Sequence, residues 1–335
     1  MPAEPRPEAA PFDAILRIST GYWLSRCLHV VTDLGVADAL GDTARSLSDL
    51  AEATGTHPAS LGRVVRLLEA HGVFRSCPEG IAHTPSSQLL RTDHPQSMRA
   101  LVRAAALPIY WESYERLDYS VRTGLPAVEQ VAPGGLWNYM AGHPDANEIF
   151  NQAMTAKAQG QIAGLIAAYS FAEFAKIGDL GGGRGHLIKA VLAATPGAKG
   201  VLFDLPHVIA QVSGNASDRL QLQGGDFFKD PIPVCDAYLM MDVINTWSDD
   251  RAVAILKNVR RAAPAHAKLL LLESVISEDS NPSWAKMLDI TMLALLSGKQ
   301  RTRAEHEKLL AAAGFRFQRA IDVRGTFTIL EAVTA

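Results

Sequence analysis

The segment KIGDLGGGRGH, residues 176–186, decides the fold of this 335-residue chain. A short apolar run ends in glycines at alternate positions, and the helical pattern HLIKAVLAA follows. Glycines at a strand-to-helix turn let the backbone approach a ligand closely and aim the helix N-terminus at it. The spacing is G-x-G-x-G with Asp179 before it, whereas the dinucleotide fingerprint G-x-G-x-x-G requires a glycine where His186 stands. We therefore expect a ligand other than a dinucleotide at this turn.

Acidic residues end the next two predicted strands. Asp204, in the run LFDLP, comes 19 residues after Gly185, and a carboxylate at this place suits the paired hydroxyls of a ribose. Asp226 and Phe227 close the third strand, where a carboxylate can accept from an exocyclic amine and a ring can pack on adenine. Together these residues favour an adenosine without a pyrophosphate.

Strand-like and helical segments alternate after residue 175. The candidate strands are 176–180, 200–205, 220–225, 237–243, 268–275, 315–323 and 327–333. Helical patterns separate most of them, notably 186–194 and 249–262. This alternation predicts an α/β domain with an open parallel sheet covered by helices on both faces.

The N-terminal third predicts helices and a winged helix. Residues 12–40 carry apolar residues at helical spacing, which pack either on the rest of the chain or, as we favour, on a second copy. Residues 46–83 predict helix, tight turn and helix, then a short hairpin over 73–83. The second helix offers Arg63 and Arg66 but also Glu69. This charge pattern disfavours DNA reading and favours a structural or dimerising role.

Charge and composition limit the binding partners and the cellular compartment that we expect. The formal net charge of −3 gives no global field that would draw the chain to nucleic acid or to an anionic membrane. No uncharged apolar run approaches the ~18 residues that span a bilayer, and the Pro-rich start lacks the features of a signal peptide. Three scattered cysteines without a CxxC motif argue against disulfides. We expect a soluble, cytoplasmic protein.

Many collinear segments make the chain resemble the S-adenosylmethionine-dependent small-molecule O-methyltransferases of the plant caffeate and bacterial natural-product type. The matching segments are the winged helix, LDYSVRTGLPA, LWNYMAGHPDANEIFNQAM, DLGGGRGHL, VLFDLPHVI, GGDFF, DVINTWSDDRAVAILKNVRRA, LLLLESVI, MLDITMLALLSGKQRTRAEHEKLLAAAGF and FTILEAV. The resemblance implies an all-α winged-helix domain that dimerises, and a Rossmann-like, seven-stranded domain that binds S-adenosylmethionine. It also implies a small-molecule substrate held between the domains.

We expect four regions. They are a disordered tail over 1–11, the winged-helix dimerisation domain over 12–105, a helical linker with substrate-pocket helices over 106–170, and the methyltransferase domain over 171–335.

The resemblance also implies a cofactor set. Glycines of the turn approach the methionine part, Asp204 holds the ribose, and Asp226 with Phe227 contacts the adenine. Met241 stands where plant members carry a lysine that touches the cofactor. The full predicted set is Asp179, Gly181, Gly183, Gly185, Asp204, Leu205, Asp226, Phe227 and Met241.

One departure from the family concerns the catalytic base. The family places a histidine two residues before Trp247, and this chain has Asn245 there. Asparagine cannot hold a proton at neutral pH. Three hypotheses follow: Asn245 positions an acceptor that needs no base; an acid such as Asp242, Glu273 or Glu305 serves as base; or the bound cofactor supports non-methylating chemistry of the hydroxylase, decarboxylase or pericyclase type. The alternative from a different functional class is a regulator that binds DNA through the winged helix.

Large apolar side chains are the candidates for the substrate pocket, because aromatic-lined clefts commonly bind small molecules. These residues are equally consistent with ordinary packing. They are Trp111, Trp137, Met154, Trp247, Met287 and Met292. His306, His266 and His143 are expected at the surface. We expect no metal at the loop, because Asn245 and Asp289 stand where metal-binding relatives would need histidine.

Overall fold

The computed structural model describes residues 10–323 and 327–335. These residues form two compact units. The first contains the described residues up to Leu107 together with Asp145–Ala156, and the second contains Pro108–Pro144 and Lys157–Ala335. No helix in the described ranges has both the length and the apolar character that crossing a bilayer requires.

The first unit has the predicted winged-helix pattern. Its elements are α1 (Pro11–Asp33), α2 (Val36–Leu40), α3 (Leu47–Ala53), α4 (Pro58–Glu69), β1 (Phe74–Cys77), β2 (Gly80–His83), α5 (Pro85–Gln88) and α6 (Arg99–Ala105). Ser46 caps α3 by accepting from the amide of Asp49, and Pro58 starts α4. The antiparallel hairpin β1–β2 is the wing. The unit is otherwise helical, so "all-α" is correct except for this hairpin.

Helix α1 leaves a large apolar surface uncovered by its own unit. Five of its side chains are more than half exposed: Phe12, Ile15, Ile18, Tyr22 and Trp23. Its inner side contributes Val31 to a core with Leu50 and Leu68. Exposed apolar patches of this kind commonly mark interaction surfaces.

The second unit begins with helices and continues as an α/β domain. Its elements are α7 (Pro108–Glu115), α8 (Leu117–Thr123), a 3₁₀ turn (Ala127–Gln130), α9 (Gly135–Gly142), β3 (Lys176–Leu180), α11 (His186–Ala194), β4 (Lys199–Asp204), α12 (Pro206–Gln211), β5 (Leu220–Gly224), β6 (Ala237–Met241), α13 (Asp249–Ala262), β7 (Lys268–Glu273), α14 (Trp284–Leu295), α15 (Arg303–Ala312), β8 (Phe315–Val323) and β9 (Phe327–Thr334). Helix α10 (Pro144–Ala168) is divided between the two units.

The sheet has seven strands in the order β5-β4-β3-β6-β7-β9-β8. Strands β3 to β7 are parallel, and apolar clusters cover both faces of the sheet. The predicted Rossmann-like fold is therefore confirmed. The order reverses between β3 and β6, and in such sheets ligands bind at the carboxyl ends of the strands beside this switch point.

The last two strands depart from the parallel pattern. Strand β9 lies antiparallel between β7 and β8. Only three residues separate β8 from β9 in the sequence, and a parallel pair would need a crossover of a dozen or more.

Candidate functional site

The glycine turn after β3 has a backbone that other residues rarely adopt. Gly181, Gly183 and Gly185 have φ of +71°, +56° and +73°. At Gly182 an added Cβ would lie 2.4 Å from Oδ2 of Asp179. The turn therefore requires glycine for both its conformation and its space, and α11 starts directly after it.

Asp179 lies under this turn and is almost completely buried. Its Oδ2 accepts from the amide of Ile188 at 3.3 Å, while its Oδ1 has no hydrogen-bond partner among the described residues. Burial raises the pKa of this carboxyl to about 7. Directly under the turn there is thus a buried acceptor that no described residue satisfies.

Asp204, at the end of β4, forms a hydrogen bond with the backbone of the turn. Its Oδ2 accepts from the amide of Gly183 at 2.8 Å, and its Oδ1 accepts from the amide of Leu205 at 2.7 Å. A carboxylate has about four lone-pair positions, so both oxygens keep capacity for hydroxyl groups. The Leu205 side chain is partly exposed beside it.

The residues after β5 reach the same turn. Asp226 accepts from the amide of Phe228 through Oδ1. An added Cβ at Gly181 would lie 3.7 Å from the Phe227 ring, and that ring meets the Trp247 ring edge-on at 6.1 Å between centroids. The ends of β3 and β5 and the segment after β6 therefore come together.

The segment after β6 carries a strained residue. Within the described part of the chain, Asp242 alone among non-glycine residues has a positive φ, of +54°. Its Oδ2 accepts from Nζ of Lys157 at 2.7 Å, and its Oδ1 lies 3.4 Å from Nδ2 of Asn245. Asn245 is only 4% exposed. Met241 precedes this group and is partly buried against the core.

Glu273, at the end of β7, is fully buried behind this segment. Its Oε1 accepts from the amide of Ile244 at 3.1 Å, and its Oε2 has no partner in the described residues. Burial, with a smaller contribution from the Asp242 charge, raises its pKa to about 8. Glu273 is therefore mainly protonated at neutral pH.

Arg301 holds the segment from the other side and is 0% exposed. It donates to the carbonyl oxygens of Ile244 at 3.0 Å and Trp247 at 2.8 Å. Nε and Nη2 both donate to Oδ1 of Asp249. A guanidinium provides such a fork of fixed donors, so Arg301 fixes the backbone on both sides of Asn245.

Glu305 caps the start of α15, and His306 beside it is buried. Glu305 forms a capping box with Thr302 and accepts from Nζ of Lys299 at 3.0 Å. Burial raises its pKa, but the hydrogen bonds from Thr302 and Lys299 outweigh burial and lower it overall. His306 is 1% exposed, so its predicted surface position is wrong, and burial lowers its pKa to about 3. His266 and His143 are exposed as predicted.

The predicted substrate residues are spread over several helices. Trp111 lies on α7, where the Tyr114 hydroxyl forms a hydrogen bond with the Thr291 hydroxyl of α14 at 2.8 Å, so α7 and α14 are in contact. On α14, Met292 is buried and Met287 is exposed. Trp137 on α9 is exposed, and Met154 lies on the part of α10 that belongs to the first unit.

Sequence reasoning missed Lys157 and Arg301. Lys157 is 85 residues from its partner Asp242, and no motif marks it. Arg301 lies in the charged run GKQRTRAEHEK, which resembles a solvated surface. Within the described ranges, no group of three or more His, Cys, Asp or Glu side chains is placed to hold a metal ion.

Two family models match the chain. The model of the O-methyltransferase domain matches residues 114–316, more than half of the chain. The model of the O-methyltransferase dimerisation domain matches residues 16–93.

Individual proteins agree with these models. The chain is 36% identical to the phenazine O-methyltransferase PhzM of Lysobacter antibioticus, over 98% of both chains. It is 36% identical to the 8-amino-8-demethylriboflavin N,N-dimethyltransferase of Streptomyces davaonensis, over 92% of this chain and 91% of the relative. The crystal structure of CalO1, a methyltransferase in calicheamicin biosynthesis with S-adenosylhomocysteine bound, superposes with a TM-score of 0.90 at 30% identity. That match covers 98% of this chain and 100% of CalO1.

The raised pKa of Glu273 predicts a pH-dependent effect of Glu273→Gln on stability. Between the ordinary glutamate pKa and about 8, the folded chain holds a proton that the unfolded chain releases, so the wild-type free energy of unfolding falls as pH rises. Glutamine has no such proton. The stability of Glu273→Gln relative to wild type should therefore rise by at least about 1 kcal/mol between about pH 5 and pH 8 in urea unfolding.

Glu331→Gln is the matched control. Glu331 is also a buried strand glutamate, but its pKa is lowered: burial raises it, and the contacts with Tyr169, Arg319 and Lys268 lower it by more. It stays ionised across this range, so Glu331→Gln should show no such rise. A flat pH dependence for Glu273→Gln would contradict the neutral state of Glu273.

Proposed function

Since this chain belongs to the O-methyltransferase family and is an S-adenosylmethionine-dependent methyltransferase, we propose that it methylates oxygen or nitrogen of a small aromatic secondary metabolite. Relatives named for a phenazine and for an aminoriboflavin, both flat and aromatic, support this substrate class. The observation that carries the proposal is the position of Asp242 and Asn245, which follow the strand next to the glycine turn.

The residues at the turn fit the cofactor. S-adenosylmethionine, when bound, supplies an electrophilic methyl group on a sulfonium. The unpartnered Oδ1 of Asp179 and the glycine turn suit its cationic methionine part, and Asp204 offers acceptors to ribose hydroxyls. Phe227, with Asp226 before it, offers a ring for the adenine.

The site favours catalysis by positioning together with one acid. Orientation can contribute much of the rate of a displacement, and a general base typically adds ~10²–10⁴-fold. Glu273 is fully buried, and Glu305 is engaged by Thr302 and Lys299. The Asp242 side chain is 24% exposed. We therefore favour Asp242 as the acid that an acceptor reaches, with Asn245 held beside it.

We also propose that the first unit forms a homodimer. The dimerisation-domain match covers most of the exposed apolar face of α1 and the whole winged helix. Burying that face against a second copy would remove several large apolar side chains from water. This match supports a dimerising role over DNA reading.

The cysteines support a reducing, cytoplasmic location. Cys27, Cys77 and Cys235 are free thiols, and free thiols without disulfides are typical of that compartment.

The substrate class is tested with a hydroxylated member of the phenazine class that one relative's name prints, and with the aminoriboflavin that another relative's name prints. The protein is incubated with isotopically methyl-labelled S-adenosylmethionine and either 1-hydroxyphenazine or 8-amino-8-demethylriboflavin. We expect at least one acceptor to gain a labelled methyl group in step with S-adenosylhomocysteine, because positioning alone can support transfer. A reaction without acceptor measures uncoupled loss of the cofactor. Unmodified acceptors in both reactions would contradict the proposed substrate class.

The dimer is tested by placing charges on α1. Ile15→Asp with Ile18→Asp removes two exposed apolar side chains, each worth about 1.5–3 kcal/mol if fully buried in an interface. The dissociation constant should rise by at least about a hundredfold, measured by sedimentation. Val234→Asp, at an equally exposed apolar residue of the second unit, should stay dimeric. A wild-type monomer, or a dimer that tolerates both charges, would contradict this interface.

A further inference from the structure

Asp242 adopts a backbone conformation that costs energy. An L-residue in the left-handed region loses roughly 1–2 kcal/mol relative to the right-handed one, although aspartate tolerates it better than most. The Asp242 amide still donates to the carbonyl of Leu272 at 3.0 Å, so the surrounding sheet holds the residue in place. Such strain persists only where the surrounding structure over-determines the conformation, and it clusters at active sites and ligand clamps.

Lys157 fixes one oxygen of Asp242. The 2.7 Å bond from Nζ to Oδ2 is short and charge-assisted. The two side chains are 17% and 24% exposed, so the pair is shielded from solvent but not sealed. Nζ also lies 5.8 Å from the centroid of the Phe327 ring. These contacts keep Asp242 in one orientation.

The other oxygen, Oδ1, is only weakly engaged. Nδ2 of Asn245 lies 3.4 Å away, beyond the usual range for an N–H···O hydrogen bond. Asn245 is itself buried, and its own Oδ1 has no partner among the residues described. An incoming molecule can therefore reach a free acceptor position on Asp242 more readily than the Asn245 amide.

From this geometry we infer that the Lys157–Asp242 pair anchors the methyl acceptor, and that the acceptor group is a phenolic or enolic hydroxyl. The inference rests on the proposed methyltransferase function and deepens it. Asp242 Oδ1 accepts the hydrogen of the hydroxyl, and Lys157 is a positioning residue that acts through Asp242.

Asp242 takes the hydroxyl proton as the acceptor oxygen forms its bond to the methyl carbon, while the carbon–sulfur bond breaks and its electron pair stays on sulfur. Asp242 later releases the proton to solvent. A neutral amine attacks through its free lone pair and loses its proton only after transfer, so it needs no base at this stage. Proton transfer to Asp242 during the displacement is therefore needed for hydroxyl acceptors and not for neutral amines.

The experiment compares three variants on 1-hydroxyphenazine. Asp242→Asn keeps the shape and tolerates the positive φ but cannot take a proton. Lys157→Met removes the cation, and Lys157→Arg restores it. We expect kcat to fall ~10²–10⁴-fold in Asp242→Asn and at least about tenfold in Lys157→Met, with Lys157→Arg recovering most of the loss. Affinity for S-adenosylhomocysteine should stay within about threefold of wild type in all three.

Lys268→Met is the matched control. Lys268 is similarly buried, bonds to Glu173 at 2.9 Å and lies 5.8 Å from the Phe174 ring, but it sits at the start of β7, at the opposite end of the sheet. It should retain wild-type kcat.

Each other outcome overturns the inference in a distinct way. An unchanged kcat in Asp242→Asn and Lys157→Met would contradict the role of this pair in holding the acceptor. Equal loss in Lys268→Met, or lost S-adenosylhomocysteine binding in Lys157→Met, reduces Lys157 to a structural or cofactor role. Methylation of 8-amino-8-demethylriboflavin but not of 1-hydroxyphenazine overturns the acceptor class while the proposed function stands. No methylation of either overturns both.

Discussion

The reversal of strand order between β3 and β6 is the constraint on which the site depends. Because β3 to β7 run parallel, their carboxyl ends meet at one edge of the sheet. The glycine turn, the acid that ends β4, the acid after β5 and the segment after β6 are far apart in the chain, yet all lie at these ends. In our proposal the turn holds the adenosyl group through its backbone, so this edge needs few side chains of special chemistry.

The segment from Asp242 to Trp247 is held from both sides of its backbone. Glu273 accepts from the Ile244 amide, and Arg301 donates to the Ile244 carbonyl. Gly298 packs so closely that a Cβ there would lie 2.0 Å from the Asn245 carbonyl oxygen. These contacts hold the backbone on both sides of Asn245, and loss of one partner from such a buried network is costly. A backbone held in this way can position an acceptor, which is the contribution that our proposal assigns to Asn245.

The parts predicted from sequence are those with local signals. The glycine turn and the acids at strand ends are short motifs, and the strands followed from apolar runs between helices. The Lys157–Asp242 pair and the burial of Arg301 depend on tertiary contacts, which no local pattern encodes. His306 was misplaced because its charged neighbours resembled a surface. It lies on the inner face of α15 with Leu309 and Leu310, three and four residues later, as helical periodicity requires.

Binding of S-adenosylhomocysteine by wild type, Gly182→Ala and Gly197→Ala, measured by calorimetry on folded protein, tests the central claim most directly. A Cβ at Gly182 meets Asp179 and Leu202, whereas a Cβ at Gly197 meets nothing within 4 Å. If the turn after β3 holds the adenosyl cofactor, Gly182→Ala should weaken binding at least about tenfold, or 1.4 kcal/mol, and Gly197→Ala should bind like wild type. Wild-type affinity in Gly182→Ala, or no binding by the wild type, would contradict the account.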